Sequence, residues 1–347
     1  MDHEFEFGLD TFGDVTVDAD GNRLSGAEVI RNVFEEAVLA DRLGVDAFGL
    51  GEHHRDDFAV TAPEVVLAAI AARTTRIKLG TAVTVLSSDD PIRVYERFAT
   101  LDAVSNGRAE ITLGRGSFVE SFPLFGYDLR DYETLFSEKL DLFAAVRGEK
   151  PFSWEGTTRA PLENADVYPK TASGSITTWI GVGGTPESVI RAARYRLPLM
   201  LAIIGGDPAR FAPYAELYRR ALAELDAGEL PIGVHSPGFI ADTDDEAREL
   251  LFPYFKAQRD RIGRERGWPP ATREQFDGEV AAGAVFAGSP HTVAAKIART
   301  AVALGLSRFD LKYSNGAMPH EHLIRAIELY ATEVIPRVRE LLARGSS

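Results

Sequence analysis

Short apolar runs of strand character alternate with longer stretches of helical period along almost the whole of this chain, as in repeated strand–helix units around a parallel sheet. Strands are expected at Glu6 to Asp10, Asp46 to Gly51, Lys78 to Val83, Glu110 to Gly114, Thr178 to Gly183, Leu199 to Ile203, Ile232 to Ile240 and Arg308 to Tyr313. Helices are expected near Gly26 to Leu43, Pro63 to Arg73, Pro91 to Val104, Tyr132 to Arg147, Pro186 to Arg194 and Asp207 to Leu225. Asp245 to Arg266 with Pro290 to Leu304, and His320 to Leu342, complete the set. Roughly eight strand–helix pairs make a (β/α)8 TIM barrel the leading fold. Gly148 to Gly174, after the fourth helix, and Gly267 to Gly288, around the seventh, break the repeat and read as insertions able to form a lid. With no Ser- or Gly-rich linker, residues 1–347 read as a single domain ending in a frayed Gly345-Ser346-Ser347.

The second strand is unusually lopsided. Alternation puts Asp46, Phe48, Leu50 and Glu52 on one face and Ala47, Gly49, Gly51 and His53 on the other. In a closed barrel the large face packs outward against helices. The small face then looks inward and leaves room for a flat, bulky ligand bordered by His53.

Composition narrows the class. Apolar residues make up 45% of the 347 and charged residues 26%, the mix of a globular protein. With 38 basic and 52 acidic residues the net charge is −14, a surface that repels nucleic acid and anionic lipid. The absence of cysteine excludes disulfides, thiolate metal sites and cysteine nucleophiles. The acidic start Met1-Asp2-His3-Glu4 lacks a signal-peptide pattern, and no apolar run approaches the roughly 18 residues of a membrane span, so a cytoplasmic protein is expected.

Active sites of such barrels lie at the C-terminal ends of the strands, and three post-strand loops carry suitable groups. After strand two come His53 and His54, adjacent and therefore poorly placed to share one metal; they are also readable as surface histidines. After strand four, Gly114-Arg115-Gly116-Ser117 lets an arginine project over the barrel mouth, either into solvent or onto a phosphate or carboxylate. After strand five, Gly183-Gly184-Thr185-Pro186-Glu187-Ser188 reads as a helix start, with Thr185 as N-cap and Pro186 at the first position. The two glycines let an anion approach its N–H groups.

These loops, with Leu79-Gly80-Thr81-Ala82-Val83-Thr84-Val85, Pro91-Ile92-Arg93 and Leu101-Asp102-Ala103-Val104-Ser105-Asn106-Gly107-Arg108 in order, resemble the bacterial luciferase-like flavin-dependent oxidoreductases. The likeness extends through Arg194-Tyr195-Arg196-Leu197-Pro198-Leu199-Met200 to the final strand. It implies a (β/α)8 barrel, often a homodimer, holding a flavin over the strand ends. It places the family's active-site histidine at His53 and its phosphate-binding arginine at Arg115, with Gly183, Gly184, Thr185 and Ser188 as the second part of the phosphate site. Ala82 and Val83 fall where members often carry a non-prolyl cis peptide or bulge under the flavin ring. True luciferase has an acidic residue where Gly184 stands and a cysteine where Gly114 stands, so light emission is not expected. Glycine at 114 also removes a side chain beside the flavin.

The resemblance thus implies an FMN-dependent, two-component monooxygenase. A separate flavin reductase supplies reduced FMN, O2 and a small organic substrate react, and His53 serves as acid or base near neutral pH. A deazaflavin-dependent hydride-transfer enzyme and a noncatalytic flavin-binding protein are the alternatives within the family. From another class, a metal-dependent hydrolase drawing on His53, His54 and His235 is disfavoured because Phe5-Glu6-Phe7-Gly8-Leu9-Asp10 lacks paired histidines. No metal is expected.

Overall fold

The computed structural model describes residues 5–18, 20–116 and 118–345. Its strands are β1 (Glu6–Thr11), β2 (Ala47–Leu50), β3 (Lys78–Thr81), β4 (Thr84–Val85), β5 (Glu110–Gly114), β6 (Phe152–Trp154), β7 (Leu162–Ala165), β8 (Thr177–Val182), β9 (Leu199–Ala202), β10 (Ile232–Ile240), β11 (Phe286–Gly288) and β12 (Arg308–Lys312). Nine of them run in the order β3-β2-β1-β12-β10-β9-β8-β5-β4, every neighbouring pair parallel, as a nearly closed barrel wrapped by helices. The expected TIM-type architecture is therefore present.

The expected run Lys78 to Val83 stops at Thr81 as β3, and the ninth strand, β4, forms just past its expected end at Thr84–Val85. The peptide between Ala82 and Val83 is cis, β3 pairs with β2 before it, and β4 pairs with β5 after it. Between the two short strands the Thr81 hydroxyl stands in for ladder bonds. It donates to Thr112 O at 3.2 Å and accepts from Thr112 N at 3.2 Å and from Thr84 Oγ1 at 3.0 Å.

Register fixes which side chains face inward. Ala47 lies opposite Gly8, and Gly49 opposite Asp10, so the small face of β2 is internal. Phe48 and Leu50 are fully buried on the outer side, where Phe48 meets Tyr313 at 6.2 Å between rings. The small face does not create the expected vacancy, however. A Cβ added at Gly49 would sit 3.2 Å from both Asp10 Cβ and Ala82 Cβ, and one at Gly51 would sit 2.2 Å from Phe12 Cδ1. These glycines admit side chains from neighbouring segments, so the lower barrel is filled and the cavity, which His53 borders, lies above it.

The helices follow the expected spans closely because their ends carry capping signals. Ser25 and Glu28 form a capping box on Gly26–Leu43, which stops at Gly44 with φ 86°. Asp90 accepts from Ile92 N and Arg93 N to start Pro91–Ser105. Two spans are subdivided. Asp207 to Leu225 opens with a 3-10 turn at Pro208–Phe211, and the last helix runs to Gly345 through a π-helical turn at Tyr330–Val334.

The two insertions differ in position. The first forms the antiparallel β6–β7 hairpin against Tyr132–Arg147, with Trp154 Nε1 donating to Asp141 Oδ2 at 3.1 Å; none of its residues lines the main cavity. It is not placed to act as a lid. The second holds a helix at Arg273–Ala281 and β11, and with the helix Asp244–Arg266 it walls the cavity.

Candidate active site

A cavity of about 820 Å³ opens at the C-terminal ends of the barrel strands, within the usual range for small-molecule and cofactor sites. Its walls come from different strand ends and have different chemistry.

At one end, β5 runs into the loop that carries Arg115 to the cavity surface beside Gly116, Tyr132 and Gly183. The guanidinium donates from Nη1 to Glu133 Oε2 at 3.1 Å and from Nη2 to Ser188 Oγ at 3.3 Å, and lies 5.4 Å from the Tyr132 ring centroid. Thr185 Oγ1 donates to the same Ser188 Oγ at 2.8 Å. Thr185 holds the N-cap position of Pro186–Arg194, but its side chain accepts no backbone N–H bond. The side-chain cap expected of Thr185 is thus not formed, because its hydroxyl is drawn to Ser188. The N–H groups it leaves, at a terminus carrying the positive end of the helix dipole, suit an anion. Gly184 has φ 105°, where an L side chain is strained, and a Cβ there would lie 3.3 Å from Phe211. Arg191 joins the cluster by donating from Nη2 to Glu133, while its Nη1 is buried without a hydrogen-bond partner. Arg115 and Arg191 thus share the Glu133 carboxylate. Of the loop residues, Arg115, Gly116 and Gly183 line the cavity itself; Gly184, Thr185 and Ser188 do not. Ser117 lies outside the described residues.

The adjoining wall is Ala82, Val83 and Gly114. A Cβ at Gly114 would fall 2.5 Å from Val83 Cγ2, so this glycine makes room for the Val83 side chain and does not open the interior as expected. Gly114→Cys should cost about 1 to 3 kcal/mol by overpacking. Val83→Ala in the same chain should recover most of that in urea denaturation; no recovery would show that the contact is not the cause.

On the other side His53 sits in an aromatic box. Its ring centroid is 4.8 Å from Phe12, 4.7 Å from Phe58 and 4.9 Å from Phe118, and the residue is 7% exposed. Burial, together with the positive charges of Lys312 and Arg55, pushes its pKa down to about 3. Both effects favour the neutral form of His53 over the charged one. It can give or accept one uncharged hydrogen bond. Strand two ends at Leu50, so Gly51 to His54 are loop residues and alternation does not govern them; both Glu52 and His53 face the cavity. His54 turns away from the cavity, with Nε2 2.8 Å from Glu52 Oε1. The other Glu52 oxygen accepts from Val85 N at 3.3 Å and ties this loop to β4.

Of the floor residues the sequence points only to His235, and there as a disfavoured metal ligand. Asp10 on β1, His235 on β10, and Asp310 and Lys312 on β12 all line the cavity. His235 Nδ1 lies 2.7 Å from Asp10 Oδ2. Arg308, beneath them, donates to Asp310 Oδ1 at 2.7 Å and also to Glu110. Lys312 donates to Asp14 Oδ2 at 3.0 Å. The available signal was Arg308-Phe309-Asp310-Leu311-Lys312-Tyr313-Ser314, a period-two polar face in a strand that a barrel buries on both sides. Among the described residues no group of three His, Asp or Glu side chains is arranged to hold a metal ion.

The fold defines the class first, a parallel strand–helix barrel with its cavity at the strand C-termini. The chain belongs to the luciferase-like monooxygenase family, whose model matches residues 9–308. N-acetyl-S-alkylcysteine monooxygenase of Bacillus subtilis (strain 168) is 28% identical over 67% of this chain and 68% of its own. The chain covers 39% and 32% of the lengths of the first two curated relatives it matches. The crystal structure of monooxygenase RslO1 from Streptomyces bottropensis superposes with a TM-score of 0.81 at 25% identity, covering 95% of this chain and 99% of that one. The oxygenating constituent of 3,6-diketocamphane monooxygenase from Pseudomonas putida, in complex with FMN, gives 0.76 at 20% identity over 96% and 98%. An F420-dependent secondary alcohol dehydrogenase shares the fold, at 0.75 and 16% identity over 96% and 99%. Among the described residues no helix is long and apolar enough to cross a membrane.

Proposed function

We propose that the protein is an FMN-dependent monooxygenase of the two-component type. One observation carries this reading. Arg115, Ser188 and the N-terminus of Pro186–Arg194 converge at one end of a roughly 820 Å³ cavity whose adjoining wall is the cis Ala82-Val83 segment. The phosphate would rest on Arg115, Ser188 and Thr185, with Gly183 and Gly184 allowing close backbone approach, and the ring system would lie along Ala82, Val83 and Gly114. The buried Arg191 Nη1 without a partner fits an anion-holding cluster.

Bound reduced FMN supplies the redox chemistry with O2. The protein's own groups do the rest. Phe12, Phe58 and Phe118 keep water from His53, which offers a neutral hydrogen bond to the reacting groups. Substrate enters beneath the wall formed by Phe255, Arg259 and Trp268, where Arg259 lies 4.4 Å from the Trp268 ring centroid. In this reading a separate flavin reductase delivers the reduced cofactor, and the protein works as a cytoplasmic homodimer on a small organic substrate. The net charge of −14 argues against nucleic-acid or membrane partners.

The competing cofactor is the 8-hydroxy-5-deazaflavin coenzyme, which the fold also accommodates in a neighbour. Equilibrium dialysis against equimolar FMN and deazaflavin coenzyme separates the two. Preferential retention of FMN is expected; preferential retention of the deazaflavin would replace the monooxygenase reading with hydride transfer.

A further inference from the structure

We propose that His235, held by Asp10, is the acid–base group of the cavity floor, exchanging a proton through Nε2 with a cavity-bound oxygen atom that changes charge during the reaction. The inference rests on the monooxygenase reading for the identity of that oxygen. Its geometry stands independently of the cofactor.

His235 reaches the floor because the period-two alternation of β10 turns it inward, opposite Ala202 on β9 and Asp310 on β12. Its Nδ1 is committed to Asp10 Oδ2 at 2.7 Å, and the side chains are 12% and 2% exposed. The ring lies nearly parallel to Phe12, 13° apart with centroids 6.0 Å distant, which fixes its plane. No hydrogen bond to Nε2 is present among the described residues, and His235 lines the cavity. Carboxylate, imidazole and open Nε2 in sequence are the arrangement by which a histidine is oriented for proton transfer. Asp10 Oδ1 is buried without a partner, so no second donor competes with the imidazole for that carboxylate. Asp10 is thus a positioning residue.

The charges around the ring favour its protonated form. Burial alone would lower the His235 pKa; Asp10 on β1 and Asp310 on β12 outweigh it, against a smaller opposing effect from Lys312, and the net direction is upward. Ala202 on β9 and the Phe12 ring add no charge. The surroundings of the cavity's two histidines push in opposite directions, burial and cations favouring neutral His53 and carboxylates favouring charged His235. In the forward direction the Nε2–H bond of the imidazolium breaks and the proton passes to the oxygen that becomes negative. The imidazole is left neutral with Nδ1–H on Asp10, and solvent later returns one proton.

The full-length protein, labelled with 13C at histidine, allows the test. The resonance that disappears in His235→Gln is expected to titrate above free histidine, and Asp10→Asn should move that titration down. Oxidation of protein-bound reduced FMN by O2, followed by stopped flow from about pH 5 to 9, should inflect where His235 titrates. In His235→Gln the inflection should vanish and the rate fall by about 10² or more. In Asp10→Asn it should shift to lower pH, while FMN affinity changes less than about twofold in both variants. A His235 resonance that does not titrate in this range, or a His235→Gln profile superimposable on the parent's, overturns the proposal. A parent that binds no FMN overturns the flavin reading instead, and the histidine titration then decides the state of the dyad by itself.

Discussion

Replacing Arg308 with methionine is expected to cost about 3 to 5 kcal/mol of folding stability, because it leaves buried carboxylates without their counter-charge. Arg308 is 4% exposed and donates to both Glu110 and Asp310 in the filled lower barrel. In the parent, burial already outweighs Arg308 and pushes the Asp310 pKa up to about 6. A carboxyl whose folded-state pKa lies above its unfolded value contributes stability that is present below the unfolded value and lost as pH rises through the folded one. Without Arg308 the folded-state pKa rises further. The variant's deficit should therefore be larger at pH 8 than at pH 5, and Asp310→Asn added to Arg308→Met should recover part of it. Urea denaturation at the two pH values checks both statements. A deficit under about 1 kcal/mol, or one independent of pH, would show that the floor tolerates unpaired carboxylates through solvent that reaches them.

Arg115→Ala carries the second large effect. Losing a charge-assisted hydrogen bond costs roughly 1.5 to 3 kcal/mol, about one to two orders of magnitude in dissociation constant. The loss should appear with FMN and be nearly absent with riboflavin, which lacks the phosphate. Arg115→Lys should restore part of it, since an ammonium keeps the charge but not the planar fork. Glu133 stays satisfied in the variant because Arg191 also donates to it, so the fold should hold. Gly184→Asp should weaken FMN in the same direction, by a like charge and a strained φ of 105°. Fluorescence titration with both flavins decides. Equal losses for the two would move the phosphate away from Arg115.

The barrel was legible because strand and helix periods alternate cleanly along the chain. The end of β3 at Thr81 was not readable from periodicity. Ala82-Val83 looks like ordinary strand sequence, and only the resemblance pointed to a cis peptide or bulge there. The small face of β2 was read correctly as internal, but its consequence was not. Which long side chain enters a glycine's space depends on register between strands, and a single strand's pattern carries no register. The same limit hid the Asp10–His235 pair, whose members stand 225 positions apart. His53 was found by its loop, while its ionisation depends on Phe12, Phe58 and Phe118, which reach it from three separate segments.

Anaerobic titration of the protein with photoreduced FMN, followed by titration with oxidised FMN in air, tests the central claim most directly. The site described here predicts saturable one-to-one binding of reduced FMN at micromolar concentration or below, about −8 kcal/mol or stronger. Binding of neither redox form would contradict it, and the cluster of Arg115, Ser188 and Arg191 would then have to serve some other anion.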